Sequence, residues 1–157
     1  MKISLIVIGK TEEAYIKEGI NVYIQRLKHY ITFEIIEIPS IKNTKNMSPS
    51  KIVEKEGELL LKQIKKHEYC ILLDEKGRSF RSVEFAEFIE SKINQSTRSI
   101  AFVVGGAYGF SPDVYNIAKM KLSLSDMTFS HQMIRLFFLE QLYRAFTIIK
   151  NEPYHNE

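Results

Sequence analysis

The chain has 157 residues, enough for one domain and hardly for two. Hydrophobic residues make up 45% and charged residues 26%, with seven Gly and four Pro, which excludes wholesale disorder and any collagen-like or low-complexity chain. A formal net charge of +3 permits an anionic partner such as RNA without requiring one.

The apolar start, Lys2-Ile3-Ser4-Leu5-Ile6-Val7-Ile8, reads as a strand. It is too short for a signal peptide core, and no stretch approaches the ~20 apolar residues of a membrane span. A soluble, cytoplasmic protein with no membrane partner is expected. Thr11 reads as a helix cap, with Glu12 and Glu13 near the helix dipole and a helical pattern to about residue 30. Residues 32–38 form a strand that stops at Pro39, and 40–48 form a polar, basic loop. Ser48-Pro49 supplies a cap and a first helical position for a helix to about residue 66. Residues 69–74 are a buried strand carrying the lone Cys70, which has no internal disulfide partner and points to a reducing compartment. Glu75-Lys76-Gly77-Arg78 reads as a turn. A helix follows from Ser82 to about residue 94, then a buried strand over 99–104. Residues 105–110 are a glycine-rich loop, Ser111-Pro112-Asp113 starts a short helix, 122–125 a short strand, and 130–150 a long final helix. This order predicts a single α/β domain, residues 1–157, with a mostly parallel sheet covered by helices on both faces.

The final helix is apolar on more than one side. Ile134, Phe138, Leu142, Ala145 and Ile149 form one stripe, while Leu136, Phe137, Tyr143, Phe146 and Ile148 spread around the rest. Either it is a central core helix, or its second side meets another copy of the chain.

Several segments could carry chemistry. Gly9-Lys10-Thr11 ends like a phosphate-binding loop, but the earlier glycine that motif needs is Ser4, inside the first strand. Gly105-Gly106-Ala107-Tyr108-Gly109 follows a buried strand. It is either a tight turn or a close-approach surface for a nucleotide-like ligand at the carboxyl ends of the strands. The stretch 122–131 combines small hydroxyls with apolar residues, as a loop holding an adenine ring would. Glu140 and Arg144 are spaced for an i,i+4 ion pair, and Tyr154-His155 offers a stacking ring and a titratable base. No Cys/His cluster has zinc spacing, so no metal is expected. The basic residues Lys42, Lys45, Lys51, Lys62, Lys65 and Lys66 read as a solvated face or as an RNA footprint.

Taken in order, Lys2 to Lys10, Glu34-Ile35-Ile36-Glu37-Ile38-Pro39, Lys55-Glu56-Gly57-Glu58, Leu73-Asp74-Glu75-Lys76-Gly77, the 104–109 glycine segment, 122–131, Glu140-Gln141-Leu142-Tyr143-Arg144-Ala145 and Tyr154-His155 resemble one family along the whole chain. It is the bacterial 23S ribosomal RNA (pseudouridine-N3) methyltransferase family of the SPOUT class. The resemblance implies a C-terminal trefoil knot, a homodimer, S-adenosyl-L-methionine as cofactor, and 23S rRNA within assembled ribosomes as substrate. It places cofactor contacts at Leu73, Gly105, Gly106, Gly109, Leu124, Ser125, Asp126, Met127, Thr128 and Phe129. It places His131, Arg144, Tyr154 and His155 at catalytic, substrate-side positions. Of these, His131 or His155 would take the N3 proton, or Arg144 would stabilise the resulting anion. Ser130 stands where the family usually has Pro; it remains a good helix cap.

Overall fold

In the computed structural model, which describes residues 1–156, five strands alternate with five α-helices, and a single 3-10 turn covers Thr44–Asn46. They run β1 (Lys2–Ile8), α1 (Ala14–Leu27), β2 (Thr32–Ile38), α2 (Pro49–Ile64), β3 (Tyr69–Ser79), α3 (Ser82–Asn94), β4 (Ser99–Val104), α4 (Pro112–Ile117), β5 (Met120–Ser123) and α5 (Met133–Ile149). All strand pairs are parallel, in the order β2-β1-β4-β3-β5.

Alternation along each strand sorts side chains to two faces. Ile3, Leu5 and Val7 of β1 and Ile100, Phe102 and Val104 of β4 join Phe85 and Ile89 of α3 and Phe138, Leu139 and Leu142 of α5 in one core. Ile6, Ile8, Ala101 and Val103 face the other way, onto Leu60 and Ile64 of α2 and Val114 of α4. Both sheet faces are thus covered, as the near-continuous apolar strands require. Cys70 is buried in the second core, which pushes its thiol up to about 12. The final helix packs on α1 and α3, and most of its apolar surface is covered by its own chain; Phe137 stays 41% exposed.

Three local readings are corrected. Residues 75–78 are not a turn: β3 runs on to Ser79 and pairs with β5 in two registers, first Ile71–Leu73 with 120–122, then Arg78 and Ser79 with Leu122 and Ser123. Gly77 permits this, because a Cβ there would lie 2.6 Å from the backbone of Lys121 and Leu122. Thr11 does not cap α1, whose N-cap is Glu13; it is buried, and its hydroxyl accepts a bond from Arg135 instead. The last helix begins at Met133, later than expected. Its N-cap position is Gln132, not Ser130, and carries no side-chain cap bond; Ser130 braces the turn before it, accepting from Met133 N at the hydroxyl (3.1 Å) and from Ile134 N at the carbonyl (3.0 Å). Ser48 and Ser111 cap α2 and α4 through their hydroxyls.

Candidate active site

The helices that follow β3 and β4 leave to opposite faces of the sheet, which opens a crevice at the carboxyl ends of these strands. A cavity of about 660 Å³ lies there, within the size range of small-molecule sites. Its walls come from three segments: 73–76 at the end of β3, 104–110 after β4, and 122–131 after β5, with Tyr115 and Ile134 at the edges.

Backbone requirements explain the glycines of the second wall. Gly109 has φ +82°, a conformation that a Cβ strains, and its N–H donates to Gly106 O at 3.2 Å to close the turn. At Gly105 a Cβ would sit 3.2 Å from Gly109 O and from the Phe110 ring, so the turn folds tightly on itself. The result is a wall of bare backbone beside the cavity.

The third wall is held by its own hydroxyls. Ser123 Oγ donates to Ser125 O (2.9 Å), and Ser125 Oγ accepts from Met127 N (2.9 Å). Thr128 Oγ1 donates to Glu75 Oε2 at 2.8 Å, tying this loop to the end of β3. The Phe129 ring packs on Phe137 with centroids 4.7 Å apart, and Met127 stands 77% exposed at the rim. On the first wall, Asp74 accepts from Tyr115 OH (2.7 Å) and from Lys76 N (2.8 Å). Burial, with help from Asp74, pushes the Tyr115 hydroxyl up to about 12, so it stays a donor at neutral pH.

The expected ligand contacts gather here. Leu73, Gly105, Gly106, Gly109, Leu124, Ser125, Met127, Thr128 and Phe129 all line the cavity, and His131 stands exposed at its mouth. Asp126 lies in the same loop, but it is exposed and does not line the cavity.

Arg144, Tyr154 and His155 do not reach this cavity. Arg144 is thirteen residues beyond His131, about 20 Å along a helix. There the C-terminal tail folds back on α5. Glu140 Oε1 accepts from Arg144 Nη2 (2.6 Å), Arg144 Nε (3.1 Å) and Tyr154 OH (3.2 Å). The Arg144 guanidinium lies over the Tyr154 ring at 4.8 Å. Its Nη1 is 3.2 Å from His155 Nδ1, and since arginine only donates, Nδ1 accepts. Hydrogen bonding to Glu140 raises the Arg144 pKa further, while burial and then the Tyr23 and Glu140 contacts raise that of Tyr154. The tail is therefore docked, not frayed, and Arg144 serves both the predicted ion pair and the histidine.

Sequence reasoning missed the rim residues Asp74, Glu75 and Tyr115. The first two were discoverable, because they follow a buried strand directly at its carboxyl end. It also missed Arg135, which is fully buried and carries the start of α5. Its guanidinium donates to His131 O (3.0 Å), Gly9 O (3.0 Å), Ile8 O (2.8 Å) and Thr11 Oγ1 (3.1 Å). Gln132 adds bonds to Lys10 O and from Glu12 N. The loop after β1 thus clamps the helix start that presents His131. That loop resembles a phosphate-binding motif in letters only: the Gly9 N–H donates to Ile38 O and the Glu12 N–H to Gln132 Oε1, while its carbonyls face arginine.

Among the described residues no group of three or more His, Cys, Asp or Glu side chains could hold a metal ion, and no helix is long and apolar enough to cross a membrane. A family model described as a predicted SPOUT methyltransferase matches residues 1–155. A Parabacteroides distasonis protein named ribosomal RNA large subunit methyltransferase H is 57% identical over 157 residues, covering all of both chains. A Phocaeicola vulgatus protein of the same name is 53% identical over the same extent. Two solved structures share the fold. A probable methylase family protein from Haemophilus influenzae Rd KW20 matches with a TM-score of 0.58 at 14% identity, over 99% of this chain and 70% of its own. A probable methyltransferase from Bordetella pertussis Tohama I matches with a TM-score of 0.55 at 9% identity, over 92% of this chain and 95% of its own.

Proposed function

The chain belongs to the SPOUT methyltransferase family, and on that premise we propose that residues 1–157 act as one S-adenosyl-L-methionine-dependent methyltransferase domain. Its substrate is N3 of a pseudouridine in 23S ribosomal RNA, within the assembled ribosome. The observation that carries this reading is the cavity itself: a bare-backbone glycine turn faces a hydroxyl-braced apolar loop across the carboxyl ends of β3, β4 and β5.

The residues present fit such a cofactor. About 660 Å³ is room for a nucleoside with an amino-acid arm. Leu73, Leu124, Met127 and Phe129 offer apolar surface to a flat base, while Ser125, Thr128 and the backbone at 105–109 offer polar groups. When bound, S-adenosylmethionine supplies an electrophilic methyl group on a sulfonium. The chain's own task is then orientation, water exclusion and charge placement.

His131, at the cavity mouth and held through its carbonyl by Arg135, is the group we assign to accept the N3 proton. His155 is less suited, because its Nδ1 lone pair already faces Arg144. Arg144, Tyr154 and His155 work on the substrate side, with the guanidinium stabilising the anion formed at the base. A homodimer suits this division. Within one chain the Arg144 backbone lies about 20 Å along the helix from His131, none of these three side chains lines the cavity, and the exposed Phe137 beside Phe129 marks apolar surface for a second copy to cover. The family's C-terminal knot is expected around the close passage of Gly77 against residues 121–122. Cytoplasmic ribosomes are the expected location of the substrate. A net charge of +3 is modest for gripping bare RNA, so the folded particle supplies the remaining contacts.

The decisive experiment is mass spectrometry of 23S rRNA from cells with and without the gene, together with transfer of labelled methyl to ribosomes in vitro. Loss of one methyl on one pseudouridine is expected. Unchanged rRNA, or equal methylation of protein-free rRNA at physiological salt, rejects the substrate assignment. His131→Ala should keep cofactor affinity in calorimetry while turnover falls; a matching loss of affinity rejects its catalytic role.

A further inference from the structure

Behind the glycine turn, on the side away from the cavity, stands α2. Its Glu56 is 8% exposed, and its Oε2 has no hydrogen-bond partner among the described residues. The carboxyl group fits against Gly106 where a side chain would be: a Cβ added there would overlap Oε2 and lie 2.8 Å from Cδ. The neighbouring Gly57 makes the reciprocal fit, with Ser111 Cβ 2.8 Å from the place its own Cβ would take. Two positions without side chains thus lock α2 against the segment 105–111. Gly106 is a shared wall, with the cavity on one side and Glu56 on the other.

A carboxyl group is a poor choice if the need is only to fill this slot. Burial without a partner disfavours its charge and raises its pKa, and Gln or Leu would pack there at lower cost. A buried, unpaired acid one peptide thickness from a ligand site makes sense if the ligand brings a positive charge.

We propose that Glu56 is a specificity-determining residue of the donor site: an acid behind the glycine turn whose carboxylate form a bound cation favours, so that the cavity holds a cationic sulfonium more tightly than the neutral thioether left after transfer. The inference rests on the reading of the cavity as an S-adenosylmethionine site. S-adenosylmethionine and S-adenosylhomocysteine share adenine, ribose and amino-acid arm, and differ by one methyl and one positive charge. A charge set in low dielectric acts across the turn with little screening. The other carboxylates at the cavity differ in this respect. Asp74 is bonded to Tyr115 and Lys76 N, while Glu75 is exposed and bonded to Thr128, so solvent and salt weaken their fields. The consequence is directional: loaded donor is retained and spent product leaves.

The test is calorimetry on the intact protein with three ligands: S-adenosylmethionine, S-adenosylhomocysteine and sinefungin, which carries an ammonium in place of the methylsulfonium. Glu56→Gln should weaken the two cationic ligands ~10-fold, the scale of one charge pair at intermediate dielectric, and leave S-adenosylhomocysteine within about twofold. Equal weakening of all three, or no change in any, overturns the proposal and leaves Glu56 as packing. Wild-type protein that binds none of the three overturns the reading of the cavity itself, a separate and recognisable failure. If Glu56→Gln does not fold, the wild-type preference for donor over product is measured at 50 and 500 mM NaCl. A buried charge keeps that ratio within about twofold. Collapse of the ratio assigns selectivity to the exposed carboxylates and overturns the proposal.

Discussion

Arg135→Met replaces a fully buried guanidinium by a side chain of similar reach that donates no hydrogen bonds. Four bonds are lost, to Ile8 O, Gly9 O, Thr11 Oγ1 and His131 O, all of them neutral oxygens. Bonds from a charged donor contribute about 1.5–3 kcal/mol each, but burying the guanidinium costs several kcal/mol in return. Burial accordingly lowers the arginine's pKa, against the opposing fields of Glu37 and Glu12. What Met leaves behind is three carbonyls and a hydroxyl without donors, so the net loss should be about 3–5 kcal/mol. That is a large part of the ~5–15 kcal/mol that holds a domain together. Urea unfolding followed by circular dichroism measures it. Arg135→Lys keeps the charge with fewer donors and should fall between wild type and Met. A loss below about 1 kcal/mol for Met, or Lys less stable than Met, refutes the clamp. Because the same arginine holds the His131 carbonyl, methyl transfer should fall even at temperatures where Arg135→Met is folded.

Gly77→Ala drives a methyl into the backbone of Lys121 and Leu122. It should destabilise by about 1–3 kcal/mol and lower the thermal midpoint, whereas Gly105→Ala, with contacts at 3.2 Å, should be milder; the reverse order would be wrong for this geometry. Burial raises the folded-state pKa of Cys70 from 9.0 to about 12 and that of Tyr115 from 10.0 to about 12. Groups with raised folded values stabilise fully below their unfolded pKa and lose that contribution above it, so stability should decline between pH 9 and 12. A flat urea midpoint over pH 8–11 would contradict this, as would rapid labelling of Cys70 by a thiol reagent in the native protein. Glu140→Gln weakens the acceptor shared by Arg144 and Tyr154. It should loosen the tail, seen as faster hydrogen exchange at 152–155, and reduce turnover at unchanged cofactor affinity.

Much of the architecture was legible because it is written in short-range pattern. Strands over 2–8 and 99–104 announce themselves by runs of β-branched and apolar residues, 32–38 by a loose alternation that stops at Pro39, and Ser48-Pro49 and Ser111-Pro112 mark helix starts by cap chemistry that acts within three residues. The cavity walls were legible for a similar reason. The glycine turn and the serine-bearing loop each follow a strand, and a parallel sheet brings strand ends together on one side.

What stayed hidden depends on partners remote in the chain. Residues 75–78 carry turn letters yet extend β3, since β5, some 45 residues later, supplies a second register and Gly77 the clearance. Thr11 looks like a cap, but Arg135, 124 residues on, takes its hydroxyl. Nothing local distinguishes Glu56 from the solvated charges around it on α2. Only its packing against Gly106 removes it from water. Local sequence sets which backbone conformations are cheap, and so decides the elements. Desolvation and long-range hydrogen bonding exist only once those elements meet, and they decide which arginine is a clamp, which acid is buried, and which histidine stands at the mouth of the site.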